Sequence, residues 1–183
     1  MLVFLVTGVS GAGKSTVSRA LRRQGRHAIS TDAASGLCSW RDAAGRTVQR
    51  PAEPDLVWLS GHGWAWDPTR LDEIIAEAAA EGVGELWLCG DAVNARSLSD
   101  RFDACFVLDI DQDAMAERIR SPQRGNDFGR VGDTFRVALD SHPGFAAAWR
   151  GQGAIVIDAS ENPDAVLQRL LRSAAEVRRR GSA

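Results

Sequence analysis

Runs of uninterrupted apolar residues alternate along this chain with stretches of helical period. Leu2-Val3-Phe4-Leu5-Val6 is the first such run, and its lack of polar alternation marks a parallel strand covered on both faces. A glycine-rich turn follows. Ser15 to Arg23 then carries Val17, Ala20 and Leu21 at helical spacing and meets a stop at Gly25. His27 to Ser30 reads as a short second strand. Glu85 to Cys89, Ala104 to Ile110 and Ala154 to Ile157 are further buried strands.

Helices fill the spaces between them. Asp67-Pro68 supplies an N-cap and a first-turn proline for a helix to about Ala80, ended by Gly82 and Gly84. Asp111 caps a helix with Met115, Arg118 and Ile119 on a common face, closed by Ser121-Pro122. Asp133 to Leu139 and Phe145 to Arg150 flank a Pro143-Gly144 break. Asn162-Pro163 opens a last helix with Val166, Leu167, Leu170 and Leu171 facing the core, and the arginine tail from Arg178 is expected to fray. Strands alternating with helices predict an α/β domain with a parallel five-stranded sheet and right-handed crossovers. Thr31 to Pro54 has no clean period.

Composition narrows the class. The 183 residues, 44% hydrophobic and 25% charged with net charge −2, suit one ordinary globular domain. They exclude a disordered or collagen-like chain and disfavour a nucleic-acid partner. Cys38, Cys89 and Cys105 form neither a disulfide framework nor a zinc pattern, so a reducing, cytoplasmic setting is expected. No run is long enough for a signal peptide or a membrane span. All the basic residues are arginine except Lys14, which therefore stands out.

Lys14 lies in Gly8-Val9-Ser10-Gly11-Ala12-Gly13-Lys14-Ser15, which fits G-x-x-x-x-G-K-[ST] between the first strand and the first helix. The chemistry follows from the spacing. Glycines let successive N–H groups curl inward around phosphate oxygens, and the helix adds its positive dipole end. Lys14 reaches the terminal phosphates and Ser15 binds Mg2+. Gly8, Ser10, Gly11, Ala12, Gly13, Lys14, Ser15 and Thr16 are the expected ATP-binding residues.

With this loop at the extreme N-terminus, five short strands and a late arginine-rich loop, the chain resembles the small P-loop kinases, such as adenylate, shikimate and gluconate kinases. It also resembles a group of actinobacterial ATP-binding proteins, through Cys89-Gly90-Asp91-Ala92-Val93-Asn94 and Arg124-Gly125-Asn126-Asp127-Phe128-Gly129-Arg130. The resemblance implies a three-layer P-loop NTPase fold of the nucleoside-monophosphate-kinase kind, a single domain over 1–183. It also implies an acceptor-binding insert at about 33–66 and a lid at about 121–132. Lid arginines Arg120, Arg124 and Arg130 are then expected to close over the triphosphate.

Asp32, after the second strand, is the candidate base for an acceptor hydroxyl. Shikimate-type kinases carry Asp-x-Asp here, whereas this chain reads Ser30-Thr31-Asp32. Two arrangements stay open: Asp32 serves both roles, or Asp91 supports the metal. Trp40, Trp58, Trp64 and Trp66 cluster in the insert, and Trp40 and Trp66 are candidate acceptor-stacking residues, with Asn94 and Arg96 for polar groups. The expected partners are ATP, Mg2+ and a small-molecule acceptor. The competing readings are a P-loop NTPase or ATP-binding switch, and, less favoured by the net charge, a polynucleotide 5'-hydroxyl kinase.

Overall fold

The computed structural model describes residues 1–122 and 125–181. Its centre is β1 (Leu2–Gly8), buried on both faces as an apolar run requires. β2 (His27–Ser30), β6 (Glu85–Cys89), β7 (Ala104–Asp109) and β8 (Ile155–Asp158) complete a parallel sheet in the order β2-β6-β1-β7-β8. All five strands were legible. Leu2 pairs with Glu85 and Phe4 with Ala104, so the carboxyl end of β1 at Thr7-Gly8 emerges between β6 and β7. The connection from β1 runs to β2 at one edge, whereas that from β6 crosses β1 to β7 toward the other edge, and this reversal of direction opens a crevice at the carboxyl end of β1.

Two cores sandwich the sheet. On one face α1 (Lys14–Arg23), α4 (Gln112–Arg120), α5 (Thr134–Asp140) and α7 (Pro163–Gly181) pack over Phe4, Trp87 and Phe106. Those three rings lie 4.7–6.0 Å apart, a geometry that adds ring–ring attraction to their burial. On the other face α3 (Pro68–Ala80), α6 (Phe145–Arg150) and a 3-10 helix (Ala95–Arg101) cover Leu5, Leu86 and Leu88. The N-caps expected at Asp67 and Asp111 form: Asp67 accepts from the amides of Thr69 and Arg70, and Asp111 from that of Ala114.

Three features depart from the sequence pattern. The aperiodic segment and the residues just after it form a second, antiparallel sheet of β3 (Cys38–Asp42), β4 (Thr47–Val48) and β5 (His62–Trp66), in the order β4-β3-β5. Its strands are two to five residues long and none is fully buried, too short for a period to register. α2 (Leu56–Gly61), capped by Asp55, leads into β5. The arginine tail does not fray: α7 stays helical to Gly181, because Arg178 and Arg26 both bind Glu85, at 2.5 and 2.9 Å. No helix among the described residues is long and apolar enough to cross a membrane.

Candidate functional site

The loop between β1 and α1 has the conformation its glycines allow. Gly11 and Gly13 take φ of 85° and 104°, and a Cβ on Gly8 would sit 2.7 Å from the Leu108 carbonyl oxygen. No side chain caps α1, so its N-terminal dipole end is presented to the loop's concave side. Lys14 lies back over the loop, its Nζ donating to the carbonyls of Gly8 at 2.6 Å and Val9 at 3.0 Å. The amides of Ala12 and Thr16 close turns onto Val9 and Gly13, so these two candidates shape the loop with their N–H groups. Ser15 is exposed in the first turn of α1, and the Thr16 hydroxyl accepts from Arg19 at 3.4 Å.

Two carboxylates flank this loop at the ends of neighbouring strands. Asp91, just past β6, accepts a hydrogen bond from the Thr7 hydroxyl at 3.0 Å. Burial pushes its pKa up to about 6, against the pull of the Lys14 ammonium, the Thr7 hydroxyl and the Ala92 amide, and the Asp32 charge raises it further. Asp32 stands in a 3-10 turn (Thr31–Ala33) after β2 and accepts from the Trp64 indole at 3.1 Å. Lys14, Asp91 and Asp32 therefore share one electrostatic field at the mouth of the sheet. Thr7 was not anticipated; its position as the last polar side chain before the glycine loop was the available signal.

The same residues fit a magnesium ion. Mg2+ takes few protein ligands and completes its shell with water and phosphate oxygen. The described residues contain no group of three or more His, Cys, Asp or Glu that could hold a metal, but an exposed Ser15 hydroxyl and the desolvated Asp91 carboxylate suit that kind of site. The thiols offer no nucleophile: burial holds Cys38 and Cys89 at about 12 and Cys105 at about 11.

The insert revises the acceptor candidates. Trp66 is fully buried in the core, edge-on to Phe102 at 6.4 Å, so no acceptor can stack on it. Asn94 is a backbone splint: its side chain accepts from the Trp66 amide and donates to the Trp66 carbonyl, both at 2.9 Å. Both candidates are thus structural, and the pattern gave no warning because a buried and a half-exposed tryptophan alternate on β5. Arg96 is exposed on the 3-10 helix that follows. Trp40 remains half-buried, with Trp58, Trp64 and Phe128 around it at 5.1, 5.8 and 6.3 Å. His62 stacks on Trp58 at 4.2 Å, and its Nδ1 donates to the Trp58 carbonyl.

Phe128 arrives from the lid segment, which is seamed to the insert. Arg50 pairs with Asp127 at 2.5 Å, the Gly132 amide donates to Glu53, the Asp133 amide to the Pro54 carbonyl, and the Leu56 amide to the Asp133 carboxylate. Of the lid arginines, Arg130 donates to the Asn126 carbonyl within its own loop at 3.0 Å. Arg120 lies over the Phe135 ring at 4.4 Å, on α5. Arg124 falls outside the described residues. Arg118, on the helix face it shares with Met115 and Ile119, bridges α4 to the loop after β8, donating to the Ala159 carbonyl at 3.1 Å.

Taken together these elements are a P-loop kinase-type fold, and solved structures of that type resemble it over nearly its full length. A deoxyadenosine kinase from M. mycoides with bound dATP is 11% identical with a TM-score of 0.53, covering 95% of this chain and 100% of that one. Shikimate kinase from Acinetobacter baumannii in complex with shikimate is 15% identical at 0.56, covering 96% and 94%. A sugar kinase from Janibacter sp. is 18% identical at 0.55, covering 94% and 93%. No protein-family model and no curated protein sequence matches the chain.

Proposed function

We propose that this protein is a phosphotransferase that moves the γ-phosphoryl group of Mg-ATP to a small-molecule acceptor. The observation that carries the reading is the convergence of Lys14, Asp91 and Asp32 on one field at the phosphate loop, facing an aromatic insert. A nucleotide-binding loop alone needs no carboxylate at the end of β2. Asp32 there suits a base that orients an acceptor hydroxyl for in-line attack.

In this reading the loop amides and the N-terminus of α1 hold the β- and γ-phosphates, and Lys14 leaves its carbonyl partners for the phosphate oxygens. Ser15 and Asp91 would hold Mg2+, which would supply neutralisation of charge on the phosphates. Asp32 accepts the hydroxyl proton. Arg120, Arg124 and Arg130, with Arg118 of α4, neutralise charge developing on the triphosphate. Residues 1–183 act as one domain, with the insert at 33–66 and the lid at 121–132 closing the crevice. The Cys89–Asn94 and Arg124–Arg130 stretches support grouping the chain with the actinobacterial ATP-binding proteins.

The test is ADP formation from Mg-ATP with and without a panel of nucleosides, nucleotides, sugar acids and hydroxy acids. Acceptor-dependent ADP with a phosphorylated product supports the reading. Equal ADP with and without acceptors contradicts it and leaves a hydrolytic or switch protein.

A further inference from the structure

We propose that the acceptor is an uncharged alcohol carrying a flat ring, of which a nucleoside is the natural chemical example, rather than a phosphorylated or carboxylated compound. The inference rests on the phosphotransfer reading for the step it serves, but its two supports are separate from that reading: the charge state of the insert and the identity of its half-buried side chains.

The charges come first. An anionic acceptor needs a cation to hold it, and the insert contains three arginines, each already joined to a carboxylate. Arg41 binds Asp67 at 3.0 Å, Arg46 binds Asp42 at 2.7 Å, and Arg50 binds Asp127 at 2.5 Å. The side chains at the neighbouring strand ends beside the phosphate loop are carboxylates, Asp32 held by the Trp64 indole at 3.1 Å and Asp91 by the Thr7 hydroxyl at 3.0 Å. A second phosphate or a carboxylate placed among them would be repelled.

The surfaces come second. Trp40, Trp58, Trp64 and Phe128 are all partly exposed, in contrast to Trp66, Trp87 and Trp149 in the cores. Their centroid separations of 5.1–6.3 Å leave no room for a ring between them, since a sandwiched ring needs about 7 Å, two van der Waals contacts. A guest therefore stacks on their outward faces. Trp64 fixes the register of such a guest, because its indole N–H is bonded to Asp32. A ring stacked on this wall brings its hydroxyl to the remaining lone pairs of Asp32. The step balances simply: the hydroxyl oxygen forms the new P–O bond, the bond to the β–γ bridging oxygen breaks, ADP leaves, and the hydroxyl proton passes to Asp32.

The experiment separates acceptor binding from transfer. Full-length protein is titrated with a purine nucleoside, a pyrimidine nucleoside, the matching monophosphates, a sugar acid and choline, following intrinsic tryptophan fluorescence and calorimetric heat, and each compound is then assayed for labelled product from Mg-ATP. Nucleosides should bind and accept phosphate, with the monophosphates and the sugar acid at least 10-fold weaker. Trp40→Ala should raise the acceptor KM by about 5- to 100-fold with kcat within 3-fold, and Trp40→Phe, which keeps a ring, should restore most of it. If Trp40→Ala does not fold, Trp64→Phe keeps the wall and removes the Asp32 bond, lowering kcat with little change in binding. Nucleoside binding without transfer would uphold the acceptor class and overturn the phosphotransfer reading. Transfer to an anionic, cationic or ringless acceptor in preference to nucleosides, or no nucleoside binding, would overturn the acceptor class.

Discussion

The phosphate loop and the seam between insert and lid border the same crevice, yet they are built in opposite ways. The loop is contiguous: its bonds join residues three to six apart, and the function proposed for it rests on backbone N–H groups and one lysine. The seam joins residues 77 to 79 apart, through Arg50–Asp127, Leu56–Asp133 and Glu53–Gly132. The difference teaches where generality and specificity sit. Any triphosphate fits a ring of backbone donors, whereas a proposed acceptor site made by long-range pairing could change with single residues and leave the loop intact.

The largest expected effect separates the two regions outright. Lys14→Ala should lower turnover by about 10²- to 10³-fold, as loss of a preorganised cation does, while acceptor binding by fluorescence is unchanged. Because Lys14 also draws the buried Asp91 toward its charged form, thermal stability should fall modestly at neutral pH and less near pH 5. Asp32→Asn comes next, with kcat down about 10²-fold and the ATP KM within a few fold, measured by steady-state kinetics. An unchanged kcat would remove Asp32 as the base.

Asp91→Asn should move stability and activity in opposite directions. Its pKa in the folded chain is about 6, above the ordinary value of 3.8, so between those pH values the folded protein holds a proton that the unfolded chain has lost. Stability from this group therefore rises as pH falls through 6 toward 4, and the ionised form is a liability at neutral pH. The asparagine variant should be more stable by about 1–3 kcal/mol at pH 7.5 and show a flatter stability profile between pH 4 and 6, read by denaturant unfolding. Mg2+ should lower the Asp91 pKa in the parent, visible by carboxyl NMR without turnover. No Mg2+ effect would remove Asp91 from the metal site.

The legibility of the two regions follows from their construction. Leu2–Val6 and the loop after it declare themselves because burial on both faces and a fixed phosphate-binding spacing each leave a contiguous signature. Asp32 was visible for the same reason, as a carboxylate at a strand end. The insert was not: Trp40 and Trp66 look alike in a row of letters, and only the pairing of β3 with β5 sets one in the core and the other at its edge. Asn94 misled because a side chain that completes a backbone ladder has the same composition as one that binds a ligand. The Arg50–Asp127 and Phe128–Trp40 contacts needed the fold before they could be seen.

Smaller effects sharpen the seam. Gly132→Ala places a Cβ 2.2 Å from the Pro54 carbonyl oxygen at φ 49°, and should cost about 1–3 kcal/mol in unfolding while raising the acceptor KM more than the ATP KM. Asp127→Asn should cost under about 1 kcal/mol, as a partly exposed pair does, and shift the acceptor KM by a few fold. Equal shifts in both KM values would mean that the seam serves the whole crevice rather than the acceptor.

The most direct measurement of the central claim is labelled phosphoryl transfer from γ-labelled Mg-ATP to a purine nucleoside, run side by side with the parent, Lys14→Ala and Asp32→Asn. A labelled nucleoside monophosphate is expected with the parent and almost none with either variant, although both still bind the nucleoside. Label appearing only as inorganic phosphate, or product formed equally by all three proteins, would contradict it.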